Sequence, residues 1–382
     1  MSMVAAVAVA GFASTASAQP LEEAIKGVDV SGYVHYRYEN ASDVNHADQQ
    51  YKIGATAKVK AADDFTVTVG VSARDSEDTG GTNPGVLTDA DRSASFAVSH
   101  ANLTYTGVPG LTVIAGKQPL NTPWTEGSST LDATDIGNGV LALYNAGFAT
   151  FAAGHMFDSN IKVDSANIST VGGDSTIASD LTVGAVIVPL SAINATAQAW
   201  FINVKDTMGN PNLDTNAASY NLAGKFGPVA YDARYSSLKA DGFEKNTLKK
   251  VAVSSNVAGI DVAAAYAVTN KTSTDADSAV KGLVAFDSDG AAGFKAEILN
   301  LNGRNDADAI LVSASKDVLA NVNVGVTYVD VNLENNVGAN ETDVAVSYKA
   351  SNKLTLNTVY ATDKVDGAHR EHLSRAEFIY KF

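Results

Sequence analysis

Apolar and polar residues alternate with a period of two along most of the chain. From Val28 onward, Val30, Gly32, Val34, Tyr36 and Tyr38 fall on one side, while Ser31, Tyr33, His35 and Arg37 fall on the other. Tyr51, Ile53, Ala55, Ala57 and Val59 alternate in the same way with Lys52, Gly54, Thr56, Lys58 and Lys60. Beyond the turn Ala62-Asp63-Asp64, Phe65, Val67, Val69 and Val71 alternate with Thr66, Thr68, Gly70 and Ser72, and Arg74 keeps the polar parity. At the end of the chain Phe378, Tyr380 and Phe382 share one face, and Arg375, Glu377, Ile379 and Lys381 share the other. Side chains two residues apart lie on one face of a strand, so the pattern predicts strands throughout. The runs are about ten residues long, the length a tilted strand needs to cross a bilayer.

The connections sort by length. Short ones are Ala61-Ala62-Asp63-Asp64, Val108-Pro109-Gly110, Asn145-Ala146-Gly147, Gly227-Pro228 and Ala258-Gly259. Long, polar ones run from Ser76 to Arg92, Lys117 to Gly139, Asp158 to Ser179, Asp206 to Asp214 and Val331 to Asn340. Tight turns at one end and long loops at the other are the topology of a transmembrane antiparallel β-barrel, and a soluble β-sandwich does not sort its loops this way. Lipid offers no hydrogen bonds to an open sheet edge, so the strands must close on themselves. The pattern yields up to about twenty candidate strands, one pair of which is readable as a loop excursion. Phe378, Tyr380 and Phe382 then face lipid, with the last two near the aromatic girdle.

Composition narrows the compartment. The 382 residues contain no cysteine, which removes disulfides and thiolate metal sites. Asp plus Glu number 42 against 27 Lys plus Arg, a net charge of -15, and no basic stripe offers itself to nucleic acid. Met3 to Phe12 is a short apolar run followed by Ala16-Ser17-Ala18, so residues 1–18 read as a signal peptide whose basic leading region is missing. Residues 19–382 read as one outer-membrane barrel domain, since no linker composition divides them.

Function then rests on the lumen. The segment from Gly116 to Gly139 is too long for a hairpin turn and carries Glu126, Asp132 and Asp135. Pro119 and Pro123 stiffen it, and Trp124 is placed to anchor it against the wall, so it is the candidate for a loop folded into the pore. Arg37, Lys58, Arg74 and Arg234 have the parity of a facing basic wall, with Tyr231, Ala233 and Tyr235 turned outward beside Arg234. An acidic loop opposite basic residues sets a transverse field across a constriction. Acidic clusters at residues 75–80, 272–278 and around Arg304 to Asp308 read as solvated external loops. The six histidines form no metal-ligand motif, and no nucleophile elbow is present, so an enzyme is not expected. The best reading is a water-filled, weakly cation-selective diffusion channel for ions and small hydrophilic solutes. The alternatives are a surface adhesin or a barrel enzyme such as a phospholipase.

Three blocks carry a family resemblance: PLEEAIKGVDVSGYVHYRYEN at 20–40, LTYTGVPGLTVIAGKQPLNTPWTEG at 103–127 and EFIYKF at 377–382. They resemble the major outer membrane porin of Campylobacter and its relatives. The resemblance implies an 18-stranded barrel, assembled as a homotrimer in the bacterial outer membrane beside lipopolysaccharide and admitting small solutes and cations. It also implies that Phe378, Tyr380 and Phe382 help the barrel assembly machinery to recognise the chain. A structural Ca²⁺ is implied near the constriction, with Glu126 and Asp158 as the matching ligands.

Overall fold

The computed structural model describes residues 27–41, 46–74, 95–125, 135–160, 163–165, 179–206, 214–240, 244–271, 284–286, 291, 294, 296–301, 304–334, 337–368 and 370–382. The proposed signal peptide, Glu126 and Asp132 lie outside them. Among the described residues twenty strands follow one another. The first seven are β1 Val28–Ala41, β2 His46–Ala62, β3 Phe65–Arg74, β4 Ser95–Tyr105, β5 Leu111–Pro119, β6 Ile136–Asn145 and β7 Thr150–Ser159. Next come β8 Val163–Ser165, β9 Ser179–Leu190, β10 Ala195–Asp206, β11 Thr215–Phe226, β12 Val229–Ala240, β13 Asn246–Val257 and β14 Ile260–Thr269. The last six are β15 Val284–Phe286, β16 Asp308–Leu319, β17 Val322–Leu333, β18 Val337–Lys349, β19 Leu354–Val365 and β20 Glu371–Lys381.

Eighteen of these form one antiparallel sheet, and β1 pairs with both β2 and β20, which closes the barrel. The remaining two, β8 and β15, are three-residue strands that pair only with each other and so join two of the long connections. The wall thus has the eighteen staves that the family resemblance implies, two fewer than the alternation tally of about twenty. One expected loop is absent: Val331 to Asn340 is mostly ladder, because β17 runs to Leu333 and β18 starts at Val337. The alternation of Val329, Val331 and Ala339 with polar neighbours carries the strands through that polar composition.

Parity sorts the side chains as a membrane barrel requires. On β1 the outward Tyr36 and Tyr38 are exposed, whereas His35 on the other face is 4% exposed. The outward set continues around the wall with exposed Phe201, Tyr220, Val251, Tyr266, Ile310, Tyr328 and Tyr360. Such a surface is unfavourable in water and favourable in lipid. The hairpin turns at one end are tight. The β13–β14 turn takes Ala258 and Gly259 through φ of 53° and 80°, the left-handed pair that matches the twist of a two-residue hairpin.

The seam ends on the last residue. Phe382 N donates to Gly32 O and Gly32 N to Phe382 O, each at 3.0 Å. The Phe382 ring lies where a Cβ on residue 32 would stand, so only glycine admits it. The terminal aromatic thus contributes the final rung of barrel closure, and Tyr380 packs beside it at a ring separation of 6.1 Å.

Candidate functional site

Among the described residues two chain segments fold into the lumen from the long-loop end. The first follows β5 and is short. Leu120 and Trp124 are 3% and 5% exposed and pack with Met156, Leu181, Ile202 and Val204, all on the inward faces of β7, β9 and β10. Local bonds shape the turn around Pro123: Thr122 N donates to Thr125 Oγ1 at 2.7 Å, and Thr125 Oγ1 donates to Leu120 O at 2.7 Å. Leu120 N donates to Asp135 O at 2.8 Å and so ties the two ends of the connection together. Trp124 anchors the segment to the wall, as its place in the sequence suggested. Among the acidic residues of this loop only Asp135 is described.

The second segment lies in the 270–307 connection. Phe294, Leu301 and Ala307 are buried against Leu248, Ala267, Ala309, Val329, Val331 and Ala339. Sequence reasoning read the acidic cluster around Arg304 to Asp308 as a solvated external loop; Arg304 and Asp306 are exposed, but Ala307 beside them is 1% exposed in this inner cluster. The physical reason is the apolar spacing of Phe294, Leu301 and Ala307, which outweighs the flanking polar residues once a lumen wall of small and aliphatic side chains is available.

Charged groups hold the tip of this second segment. Glu341, on β18, is fully buried, and its two carboxylate oxygens accept from Ile298 N at 2.9 Å and Leu299 N at 2.6 Å. Arg375, on β20, donates to Glu297 Oε2 through Nη1 and to Glu39 Oε2 through Nε, both at 2.7 Å. Beside it Arg37 Nε donates to Glu377 Oε1 at 2.8 Å, and His35 Nε2 lies 3.4 Å from the same oxygen. Lys250 Nζ donates to Ala291 O at 2.9 Å from the other side of the lumen. A buried carboxylate that accepts two backbone N–H groups leaves neither the charge nor the amides unsatisfied.

The four basic residues expected in the lumen all have inward parity, but they do not form one cluster. Arg37 belongs to the ion-pair network just described. Arg74 stands across the ladder from Lys52, a lysine only 5% exposed. Lys58 lies farther along β2 toward the short turns, beside Thr68 on one side and cross-strand from Asp29 on the other. Arg234 lies eight staves from β3, across the barrel, where its side chain is 8% exposed and Nη1 donates to Ser219 Oγ at 3.2 Å. Its cross-strand partner is the cationic Lys250. Asp158 is exposed, just past a bulge in the β6–β7 ladder, and pairs with the equally exposed Asn138. Among the described residues no three His, Cys, Asp or Glu side chains converge as a metal site, so Asp158 gains no such companions there.

Sequence reasoning missed Glu341, Arg375, Glu39 and Glu297 as site residues. Arg375 and Glu39 were marked by polar parity on strands already recognised, but nothing local signals that they share a partner contributed by a distant loop.

The sequence matches the family model described as Campylobacter major outer membrane protein over residues 1–369. No curated relative matches the chain. Among solved structures, Pseudomonas aeruginosa OpdK, crystallised with vanillate, superimposes with a TM-score of 0.72 at 10% identity, covering 94% of this chain and 99% of that one. OccK9 (OpdG) of the same organism gives 0.70 at 13% identity, with 94% and 99% covered. OccK3 (OpdO) gives 0.67 at 15% identity, with 95% and 97% covered. At these identities the likeness establishes the fold.

Proposed function

The chain belongs to the Campylobacter major outer membrane protein family, and from that premise we propose that it is a general diffusion porin of the outer membrane. The observation that carries this reading is the narrowing of a closed, lipid-facing barrel by two inward segments whose surroundings bear fixed charge. Such a passage sorts solutes by size and charge and needs no nucleophile or catalytic base. A net charge of -15 and the carboxylates of the 120–135 connection favour a weak preference for cations. Arg37, Lys58, Arg74 and Arg234 oppose that preference without reversing it. The lumen is wet, so salt screens the effect over a Debye length of about 10 Å at 0.1 M.

Planar-bilayer recording of the detergent-extracted protein in a KCl gradient tests the reading. A reversal potential of the sign for cation preference, reduced when Glu126, Asp132 and Asp135 are neutralised together, is the expected result. An anion-selective wild type overturns the field argument, and absence of any conductance overturns the channel.

The remaining parts of the proposal rest on the family resemblance. A homotrimer is expected to conduct in units of three pores, which the same recordings read. Recognition of Phe378, Tyr380 and Phe382 by the assembly machinery predicts less folded barrel in cells when Phe382 is made polar. Calcium at Glu126 and Asp158 is tested by calorimetric titration of chelator-treated protein, with Asp158→Asn as the losing variant.

A further inference from the structure

Toward the short-turn end from the 120–125 segment, the lumen holds a cavity of about 560 Å³ whose two sides differ in chemistry. The side built by β2, β3 and β4 is polar and basic, with Thr56, Lys58, Thr68, His100 and Asn102. The side built by β6, β7, β9 and β10 is apolar, with Leu141, Leu143, Met156, Val183 and Trp200. Residues Gln118 to Thr122 form its ceiling. The sorting follows strand order, so it belongs to the wall and not to the chance rotamer of one residue.

Each side has free recognition capacity. Lys58 is exposed to the lumen and forms no ion pair among the described residues, not even with its cross-strand neighbour Asp29. The Trp200 indole N–H is already donated to Gln198 Oε1 at 3.0 Å, which leaves the ring as apolar surface. Leu141 and Trp200 flank the cluster that seats Leu120 and Trp124 but stay only partly buried, and with Leu143 they leave aliphatic and aromatic surface against which water is unfavourable. An apolar body displaces that water, and a cavity of this volume accommodates one of ring size. An acidic head on the same molecule would be drawn toward the ammonium group of Lys58, which lines the same cavity.

We propose that this cavity is a transient binding site for small amphipathic anions, with a ring-sized apolar body against Leu141, Leu143 and Trp200 and the acidic head toward Lys58. The site deepens the porin reading and rests on it for its physiological meaning, since it names a class of solute that the channel passes in preference to others of equal size. It does not conflict with a cation preference: Lys58 acts within about one Debye length, whereas the preference averages over the lumen.

The chain has two tryptophans, Trp124 and Trp200, which permits a binding measurement independent of conductance. Full-length Trp124→Phe protein in detergent is titrated with 4-nitrobenzoate while Trp200 fluorescence is followed. Saturable quenching is expected, with the half-saturating concentration about tenfold higher in a Lys58→Gln background, as for loss of one charge-assisted contact. Lys225→Gln, at the short-turn rim outside the cavity, should leave it unchanged. Nitrobenzene, the same body without the head, should quench only in proportion to its concentration, and acetate should not compete. Where Trp124→Phe does not fold, calorimetry with benzoate on the wild type and on Lys58→Gln reads the same ratio. Non-saturating quenching by 4-nitrobenzoate, or equal affinity in Lys58→Gln, overturns the site. Saturable binding in a protein that conducts nothing sinks the porin reading and leaves the site, and conductance without saturable binding does the reverse.

Discussion

The two segments that enter the lumen are held by opposite means. Residues 120–125 are seated by Leu120 and Trp124 in an apolar cluster and shaped by hydroxyl bonds within the turn. Residues 294–301 also bury Phe294 and Leu301, but their tip is gripped by a carboxylate on one strand and a guanidinium on another. The first attachment is neutral, and its hydroxyl bonds stay within the turn. The second is charged and joins residues as far apart as Glu39, Glu297 and Arg375. Apolar seating tolerates small shifts of the wall, whereas directed hydrogen bonds fix a loop tip in one position. The charged segment is therefore the better candidate for setting the bore, and the neutral one for resisting changes of salt.

Trp124→Ala is the largest expected break in this comparison. Truncating a buried Trp costs about 3 to 5 kcal/mol where the cavity cannot collapse. Amide exchange at Leu120 and Thr125, which donate to Asp135 O and Thr122 O, should accelerate strongly. Ile298 and Leu299 should keep their protection, because the two clusters share no residue. Equal loosening of both segments would mean that they form one plug and not two.

Glu341→Ala tests the other side. Hydrogen bonds to a charged acceptor contribute about 1.5 to 3 kcal/mol each, so freeing Ile298 N and Leu299 N should speed their exchange about 100-fold or more. Single-channel conductance should rise and flicker as the tip leaves its place, with the Trp124 segment unmoved. Glu341→Gln keeps one acceptor oxygen and should recover part of the effect. A quiet channel of unchanged conductance in Glu341→Ala would place the tip outside the conducting path.

The barrel and the first segment were legible in the sequence for the same reason. Period-two alternation, tight turns such as Ala258-Gly259, and a tryptophan flanked by Pro123 are all local signals. The tally of about twenty overcounted the wall, which has eighteen staves; β8 and β15 pair only with each other, and β8 lies inside the Asp158–Ser179 stretch that read as a loop. The second segment was not legible. Its polar composition suggested an external loop, and its holders sit on β1, β18 and β20, brought together only when the barrel closes. Parity shows that Glu39, Glu341 and Arg375 face inward, but it carries no information about which loop they meet.

A smaller effect is expected at Arg375. Arg375→Met keeps much of the aliphatic stem and removes the fork between Glu39 and Glu297, at a cost of about 1 to 3 kcal/mol for a half-buried pair of charged contacts. Both carboxylates then face the lumen uncompensated, so the reversal potential in a KCl gradient should move toward stronger cation preference. Arg375→Lys should restore only part, since one ammonium cannot serve two carboxylates in the fixed geometry of a guanidinium. An unchanged potential in Arg375→Met would remove these charges from the ion path while leaving their structural role intact.

The smallest expected effect sharpens the comparison from within one loop. Lys271 Nζ lies 2.7 Å from Asp306 Oδ2, an ion pair that joins the two ends of the same 270–307 connection but stands in solvent, with the lysine side chain 75% exposed. Its hydrogen bond to Asp306, followed by that carboxylate's charge, raises the Lys271 pKa above the ordinary lysine value. A raised lysine pKa makes the pair complete below the unfolded value and lost only as pH rises through the folded one, so nothing changes across neutral pH. Exposed pairs are screened by salt and contribute little. Lys271→Ala should thus leave conductance, selectivity and the exchange of Ile298 and Leu299 as they are, at both low and high salt. If instead it reproduced the flicker of Glu341→Ala, the loop would be held at its base, and the buried carboxylate would be a consequence of its position and not the cause.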